Sequence, residues 1–144
     1  MTPVEEAILR FHASLAAPPD RVFAALTQAG HLARWFCDEC ESDPREGGHV
    51  MFRWRGPGAS AEPFSGTWTA VTPPRSCAFT GGHSGYPDGT AGRITFTLEP
   101  KGSGTAIVAE HAMPASVDYA GIAQTYTLAW PRALERLADY LTPR

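Results

Sequence analysis

The pattern of apolar and polar side chains changes along the chain. Between residues 4 and 16 the two kinds alternate, with Phe11 on one face and His12 on the other, which predicts a β-strand with one buried face. In about the last thirty residues apolar side chains recur at spacings of three and four, which predicts a long amphipathic helix. The members of this stripe are Ile122, Tyr126, Trp130, Leu134, Leu137 and Leu141.

Two short helices are predicted after the first strand. Two prolines before Asp20 suit the start of a helix, where a missing N–H goes unused, and Asp20 itself favours the positive end of the helix dipole. We therefore expect a helix over residues 21–26. Thr27 is the expected cap of a second helix, over about residues 28–35.

Six short pieces with strand-like composition follow, and turn residues such as Gly56-Pro57-Gly58 separate nearly all of them. They cover residues 36–43, 49–55, 64–71, 76–80, 92–99 and 104–113. The predicted order is therefore strand, two short helices, six strands and one long helix. For an α+β chain in this order, an antiparallel sheet curled around the terminal helix buries both apolar faces most simply.

Pro131 interrupts the apolar stripe of the terminal helix. A proline inside a helix removes one backbone hydrogen bond and crowds the carbonyl four residues earlier, at a cost of about 3 kcal/mol. We therefore expect either a kink near residues 126–130 or a helix that starts late.

A set of local motifs occurs in order over nearly the whole chain. The motifs are Pro19-Asp20-Arg21-Val22-Phe23, Ala25-Leu26-Thr27, Leu32 with Trp35-Phe36, Arg45-Glu46-Gly47-Gly48, Gly66, Pro73-Pro74-Arg75, Gly104-Thr105, His111, and Trp130 with Leu134 and Leu137. Together they resemble the helix-grip proteins of the START-like superfamily, and within it the branch related to the C-terminal domain of the activator of Hsp90 ATPase. The resemblance implies one domain over residues 1–144, in which a seven-stranded antiparallel sheet curls around a long C-terminal helix. It also implies a deep cavity between sheet and helix that holds apolar or aromatic small molecules.

Two positions depart from the family pattern. Many relatives carry an acidic residue where this chain has Ala70, and a tryptophan near Gly81. The resemblance therefore implies a cavity that is roomier and less polar than in those relatives.

Aromatic side chains are the candidate lining of this cavity. An aromatic-lined hollow with few polar groups is the usual composition of a small-molecule site, although plain core packing also explains most of these residues. The candidates are Trp35, Phe52, Trp54, Trp68, Phe79, Phe96, Tyr126 and Trp130, with His111 as a polar contact. Arg53 and Arg55, which alternate with the aromatic positions, are expected to face outward.

Two interpretations of His111 stay open: a polar anchor for a ligand, or a histidine that holds the loop 112–118 by hydrogen bonds. Glu110 and His111 are neighbours on a predicted strand, so they face opposite ways and cannot form one acid–base pair. The sequence contains no recognisable catalytic motif. If the protein is an enzyme, His111 is the candidate catalytic residue.

Cys37 and Cys40 have the spacing of a zinc clip or a redox pair. The intervening Asp38-Glu39 lacks the glycine or proline of a zinc knuckle, and positions three apart on a strand point to opposite faces. We therefore expect no metal site, and two thiols that point apart at the start of a strand. Cys77 makes the number of cysteines odd, so free thiols are the simpler expectation.

Composition narrows the classes of partner. The 144 residues are 43% hydrophobic and 19% charged, with a formal net charge of -3, which offers no basic surface for nucleic acid or an anionic membrane. The N-terminal stretch is acidic where a signal peptide is basic, and no apolar run is long enough to span a membrane. We therefore expect a cytoplasmic protein with no nucleic-acid partner and no membrane span.

The leading interpretation is a protein that binds a small apolar or aromatic ligand and needs no cofactor. The alternatives are a small enzyme of cyclase or hydrolase type that uses the same cavity, and an interaction protein that docks on a chaperone. The larger co-chaperone carries an additional N-terminal domain that a chain of this length does not accommodate, so the sequence does not support the chaperone interaction. A homodimer stays open.

Overall fold

The computed structural model describes residues 6–56, 63–83, 92–114 and 119–142, with side chains described over 8–56, 63–82, 92–112 and 129–142. Seven strands and three helices lie within these ranges. In chain order they are β1 (Glu6–Leu15), α1 (Pro19–Thr27), α2 (Ala29–Trp35), β2 (Glu39–Ser42), β3 (His49–Arg53), β4 (Phe64–Thr72), β5 (Ser76–His83), β6 (Arg93–Lys101), β7 (Gly104–Pro114) and α3 (Tyr119–Leu141). The predicted order of elements is confirmed.

The strands form one antiparallel sheet in the order β1-β7-β6-β5-β4-β3-β2. Strands β2 to β7 each pair with their neighbours in sequence, whereas β1 crosses over to pair with β7 along its whole length. The sheet and the C-terminal helix α3, which packs against β1 and α2, confirm the predicted α+β helix-grip architecture.

Strand β1 follows the alternation in its sequence. Leu15 is buried, and Phe11 and Ala13 pack partly buried against the core, whereas His12 and Ser14 are exposed. Since successive side chains of a strand point to opposite faces, the polar set faces solvent and the apolar set faces the core.

The helix boundaries correct one expectation. Helix α1 begins with Pro19 and Asp20 in its first turn, as predicted. Thr27, however, is the last residue of α1 and not the cap of α2, because its hydroxyl donates to the carbonyl of Phe23 at 2.8 Å. Gln28 occupies the cap position of α2, without a side-chain hydrogen bond.

Helix α3 continues through Pro131 from Tyr119 to Leu141, so the expected late start is wrong. Its described half buries one face against the core. The buried residues on this face are Trp130, Ala133, Leu134, Leu137 and Leu141. Their spacing of three and four residues is the stripe that the sequence predicted.

Strand β2 begins at Glu39, three residues later than predicted. The backbone N–H of Cys37 bonds to the carbonyl of Leu32 at 3.1 Å, so the chain completes the last turn of α2 before it becomes extended. Strand-type alternation therefore does not apply to Cys37, and the argument that placed the two thiols on opposite faces fails.

Strands β4 and β5 approach each other most closely at two glycines. Gly66 lies opposite Gly81 in the register of the pair. A Cβ atom on Gly66 would meet the carbonyl oxygen of Thr80 and would lie 2.9 Å from the Cα of Gly81. Only a residue without a side chain fits at such a backbone contact.

Candidate functional site

Aromatic rings fill the space between strands β3 to β6 and the end of α2. Phe52 is central, with ring centroids 4.9 Å from Phe36, 5.4 Å from Phe79 and 5.7 Å from Phe64. Phe36 extends the cluster to Trp130 of α3, with centroids 6.2 Å apart. These separations are typical of favourable edge-to-face and offset ring pairs.

Within this cluster lies a cavity of about 10 Å³. Its walls are mostly apolar and are formed by Leu26, Leu32, Trp35, Phe36, Phe52, Phe79 and Phe96. A volume of this size is about the minimum that admits one water molecule, and water needs polar partners that these walls do not supply. The cavity is therefore a small apolar hollow.

Four of the predicted lining residues meet at this cavity: Trp35, Phe52, Phe79 and Phe96. Sequence reasoning did not select Leu26, Leu32 or Phe36 as lining residues. The available signal was the apolar spacing of α1 and α2, since a helix presents residues three and four apart on one face.

The other predicted lining residues lie around this hollow. Trp54 is half-buried beside Phe36, Trp68 is completely buried against Phe79, and Trp130 stands edge-on to Phe96 at 5.8 Å. The side chain of Tyr126 lies outside the described residues. That the full predicted set lines one ligand site stays a prediction.

All four indole N–H groups donate to protein acceptors. Trp35 donates to the carbonyl of Ala25 at 2.8 Å and Trp54 donates to the carbonyl of Phe36 at 2.6 Å. Trp68 donates at 3.0 Å to the hydroxyl of Ser42. Because a tryptophan has no other polar atom, these rings present only carbon surface to the space between them.

The Ser42 hydroxyl connects three elements. It accepts from Trp68 of β4 and donates to the carbonyl of Thr27, the last residue of α1, at 2.6 Å. The buried indole of Trp68 therefore has a hydrogen-bond partner that is itself fixed by a helix end. No sequence signal identified Ser42.

Trp130 makes the fourth of these bonds, to His111, which is 2% exposed. The indole Nε1–H donates to His111 Nδ1 at 3.2 Å, and the two rings lie edge-to-face at 82°. An indole N–H can only donate, so Nδ1 must accept and the proton of the neutral imidazole lies on Nε2. Because Nδ1 accepts from the indole of Trp130, this nitrogen is not available as a general base.

Replacing His111 tests the value of this bond. His111→Ala should lower the free energy of unfolding by about 2–4 kcal/mol, because it opens a cavity and leaves the buried N–H of Trp130 without its acceptor. His111→Asn places an amide oxygen near the position of Nδ1 and should lose less. Urea denaturation compares the two, and equal losses would mean that the bond to Trp130 adds nothing to stability.

The thiols of Cys37 and Cys40 lie close enough to shift each other's pKa, so the expectation that they point apart is wrong. The Cys37 thiol donates to the carbonyl of Leu32, with the sulfur 3.6 Å from the oxygen. Cys37 is buried and Cys40 is half-buried, and both are free thiols. The interaction between the two thiols raises the pKa of Cys37 and lowers the pKa of Cys40, because a protonated Cys37 stabilises the anion of its neighbour. Burial adds to the rise in the pKa of Cys37.

Among the residues that the structure describes, no group of three or more His, Cys, Asp or Glu side chains is placed to hold a metal ion. In the same ranges no helix is both long and apolar enough to cross a membrane.

Arg53 and Arg55 pair with Glu39 at the surface, on the side away from the aromatic cluster, as expected.

The seven-stranded antiparallel sheet and the long C-terminal helix define a helix-grip protein of the START-like class. The family of Activator of Hsp90 ATPase homolog 1-like proteins matches residues 16–142, and the chain belongs to that family. No curated protein sequence matches it significantly.

Solved structures share the fold at low sequence identity. The Aha1 dimer from Colwellia psychrerythraea is 20% identical with a TM-score of 0.76, and the match covers 94% of this chain and 96% of that one. MLL2253 from Mesorhizobium loti is also 20% identical over the same shares, with a TM-score of 0.79. CalU16 from Micromonospora echinospora is 25% identical, with a TM-score of 0.71 and coverage of 99% and 88%.

Proposed function

We propose that this protein binds a small apolar or aromatic molecule in the hollow between its sheet and its helices. The main support for this proposal is that all four indole N–H groups donate to protein acceptors. The tryptophan rings therefore present only carbon surface around the hollow. A ligand with few polar atoms breaks no hydrogen bond when it binds to such walls. Each part of the apolar surface that it buries stabilises the complex. Membership in a family that typically binds ligands supports the same function.

The hollow must widen before it admits a ligand. Small-molecule sites have volumes of about 300–1,000 Å³, far more than the 10 Å³ between the packed rings. Six of the seven lining residues are fully buried, whereas Phe36 is half-buried at the end of α2. We therefore place the entry at Phe36, because its ring is the part of the wall that already reaches the surface.

His111 is the polar contact in this proposal. Its ring lies edge-to-face against Trp130, whose indole it binds through Nδ1, beside the aromatic cluster. The ligand class that fits these walls is a largely carbon skeleton, aromatic or polycyclic, with few polar atoms. Fluorescent lipids, polyketides and flavonoids are suitable probes.

A thermal-shift screen of these probes measures binding directly. A ligand present at about 100 times its Kd should stabilise the protein by about 2.7 kcal/mol and raise its Tm by several degrees. Phe36→Ala should change the affinity of a hit at least about tenfold, because it alters the proposed entry and one wall. Ile8→Ala is the matched control, since Ile8 is a 51% exposed apolar residue on β1, and it should bind like the wild type.

The outcome of the screen separates the alternatives. A ligand recovered unchanged after incubation fits a binding protein, whereas a converted ligand that requires His111 would make the protein an enzyme of cyclase or hydrolase type. If no probe binds and affinity capture returns a chaperone in stoichiometric amount, the binding proposal is wrong and the interaction protein is favoured. Light scattering during the same experiments reports whether the chain forms the homodimer that the sequence left open.

A further inference from the structure

Helix α2 forms a large part of the wall around the hollow. Leu32 and Trp35 lie on α2 and Phe36 directly follows it, so this short segment supplies three of the seven lining residues. The other four lie on α1 and on strands β3, β5 and β6. Hydrogen bonds to neighbouring strands fix the backbones of β3, β5 and β6 in the sheet. A widening of the hollow therefore has to come from the helices.

Side chains alone fasten α2 to the elements around it. In the part of the chain that the structure describes, every backbone hydrogen bond of residues 29–37 stays within the segment 28–37. The segment is anchored only at its ends, where the N–H of Gln28 bonds to the carbonyl of Ala24 and the N–H of Asp38 bonds to β3. A helix of two turns is not stable by itself, so the position of α2 depends on its side-chain contacts.

Two of these contacts join α2 to α3. His31 Nδ1 and the hydroxyl of Tyr140 share a hydrogen bond at 2.6 Å, with the rings edge-to-face at 72°. One turn further along α2, the carbonyl of Trp35 accepts from Nε of Arg136 at 3.1 Å. Because the partners are four residues apart on each helix, the two bonds lie one turn apart on a single face of α2 and of α3. We call these two bonds the clasp.

The clasp lies at the surface, whereas the residues behind it are buried. Arg136 is exposed, and His31 and Tyr140 are half-buried. Leu32 and Trp35, by contrast, are buried against the hollow. Water can replace a lost partner at an exposed hydrogen bond, so such a bond breaks at a lower cost than a buried one. The clasp is therefore a contact between α2 and α3 that can open and close, beside the entry at residue 36.

We propose that α2 is a lid over the hollow and that its clasp to α3 controls how fast a ligand enters and leaves. This inference rests on the ligand-binding function proposed above and names the part of the chain that regulates it. Arg136 and Tyr140 are positioning residues, since they act on the hollow through α2. The clasp holds the closed lid whether the hollow is empty or occupied, so breaking it favours opening equally in both states. The rate constants kon and koff then rise by the same factor, and Kd is unchanged.

Two substitutions break the clasp one bond at a time. Tyr140→Phe removes the hydroxyl and keeps the ring, and Arg136→Met removes the guanidinium and keeps the apolar stem. Each should raise kon and koff together about three- to tenfold, as expected for the loss of one hydrogen bond. Stopped-flow fluorescence measures both rates with the fluorescent lipid or flavonoid that gives the largest thermal shift.

Arg132→Met is the matched control for these variants. Arg132 is exposed on the same helix, and no described residue makes a hydrogen bond or ion pair with it. The change removes the same charge from α3 and leaves the clasp intact, so both rate constants should stay at the wild-type values. A common rise in all three variants would show that the charge of α3, and not the clasp, sets the rates, and would overturn the proposal.

Hydrogen exchange of the ligand-free protein tests the lid separately from binding. The backbone N–H groups of residues 33–37 should exchange faster in the two clasp variants than in the wild type, whereas those of β5 should not change. The lid is overturned if residues 33–37 exchange at the wild-type rate in both variants, whether or not a probe binds. If they exchange faster but kon stays the same, the lid is overturned and the binding function stands. A screen in which no probe binds overturns the binding function, and with it the control of ligand entry by α2.

Discussion

A Gly66→Ala variant is expected to lose about 4 kcal/mol or more of its free energy of unfolding, or to fail to fold, although the change adds a single methyl group. The added Cβ meets the carbonyl oxygen of Thr80 and lies 2.8 Å from its carbonyl carbon. Both atoms belong to the backbone of β5, and they can move only if the β4–β5 pairing shifts. A clash with backbone is costly because no side-chain rotation relieves it.

Gly30→Ala is the matched control for this variant. Gly30 lies in helix α2, and a Cβ built there has no neighbour within 4 Å. The same chemical change should therefore raise the free energy of unfolding by about 0.4–1 kcal/mol, because alanine loses less backbone entropy on folding. Urea denaturation of the two variants gives opposite signs if the close approach at Gly66 is correct. A Gly66→Ala protein as stable as the wild type would show that β4 and β5 lie further apart.

The second large effect is expected at Phe52, the ring at the centre of the aromatic cluster. Phe52→Ala should lower the free energy of unfolding by about 3–5 kcal/mol, because it removes contacts to Phe36, Phe64 and Phe79 and leaves a cavity. Phe52→Leu keeps most of the apolar volume and should lose less than half as much. Both variants lose the aromatic ring, so the difference between their free energies of unfolding measures the cost of the cavity.

The Phe52→Ala protein also tests the chemistry of the walls. Its enlarged hollow is surrounded by carbon atoms, and such cavities stay dry and take up small apolar molecules. Benzene at millimolar concentration should raise the Tm of this variant and leave that of Phe52→Leu nearly unchanged. If benzene has no effect on either protein, the site collapses when the ring is removed, and the loss of stability should then fall below the expected range.

Local patterns predicted the fold well because each of them is set by nearby residues. Alternation places β1, the spacing of three and four places α3, and Pro19 with Asp20 starts α1. The resemblance to a known family predicted how these elements assemble into one sheet and a C-terminal helix. A property of a short segment, or an order of segments shared with a known family, can therefore be predicted from one sequence.

The site resisted prediction where it depends on contacts between distant segments. Thr27 has the residue type of a helix cap, but its hydroxyl bonds within α1 and its carbonyl bonds to Ser42. The tautomer of His111 is set by Trp130, which is 19 residues away. The contact between Cys37 and Cys40 depends on how far α2 continues before the chain turns, and a difference of three residues in the start of β2 reversed the conclusion.

The pairing of β1 with β7 has a consequence for the time at which the protein can fold during synthesis. Arg10 lies opposite Glu110, with which it also forms an ion pair, 100 residues further along the chain. At about 5–20 residues per second, a ribosome makes Glu110 roughly 5–20 seconds after Arg10. During that interval β1 has no strand with which to pair its backbone and nothing to cover its apolar face. The N-terminal segment of the nascent chain therefore needs protection from aggregation for longer than the later strands do.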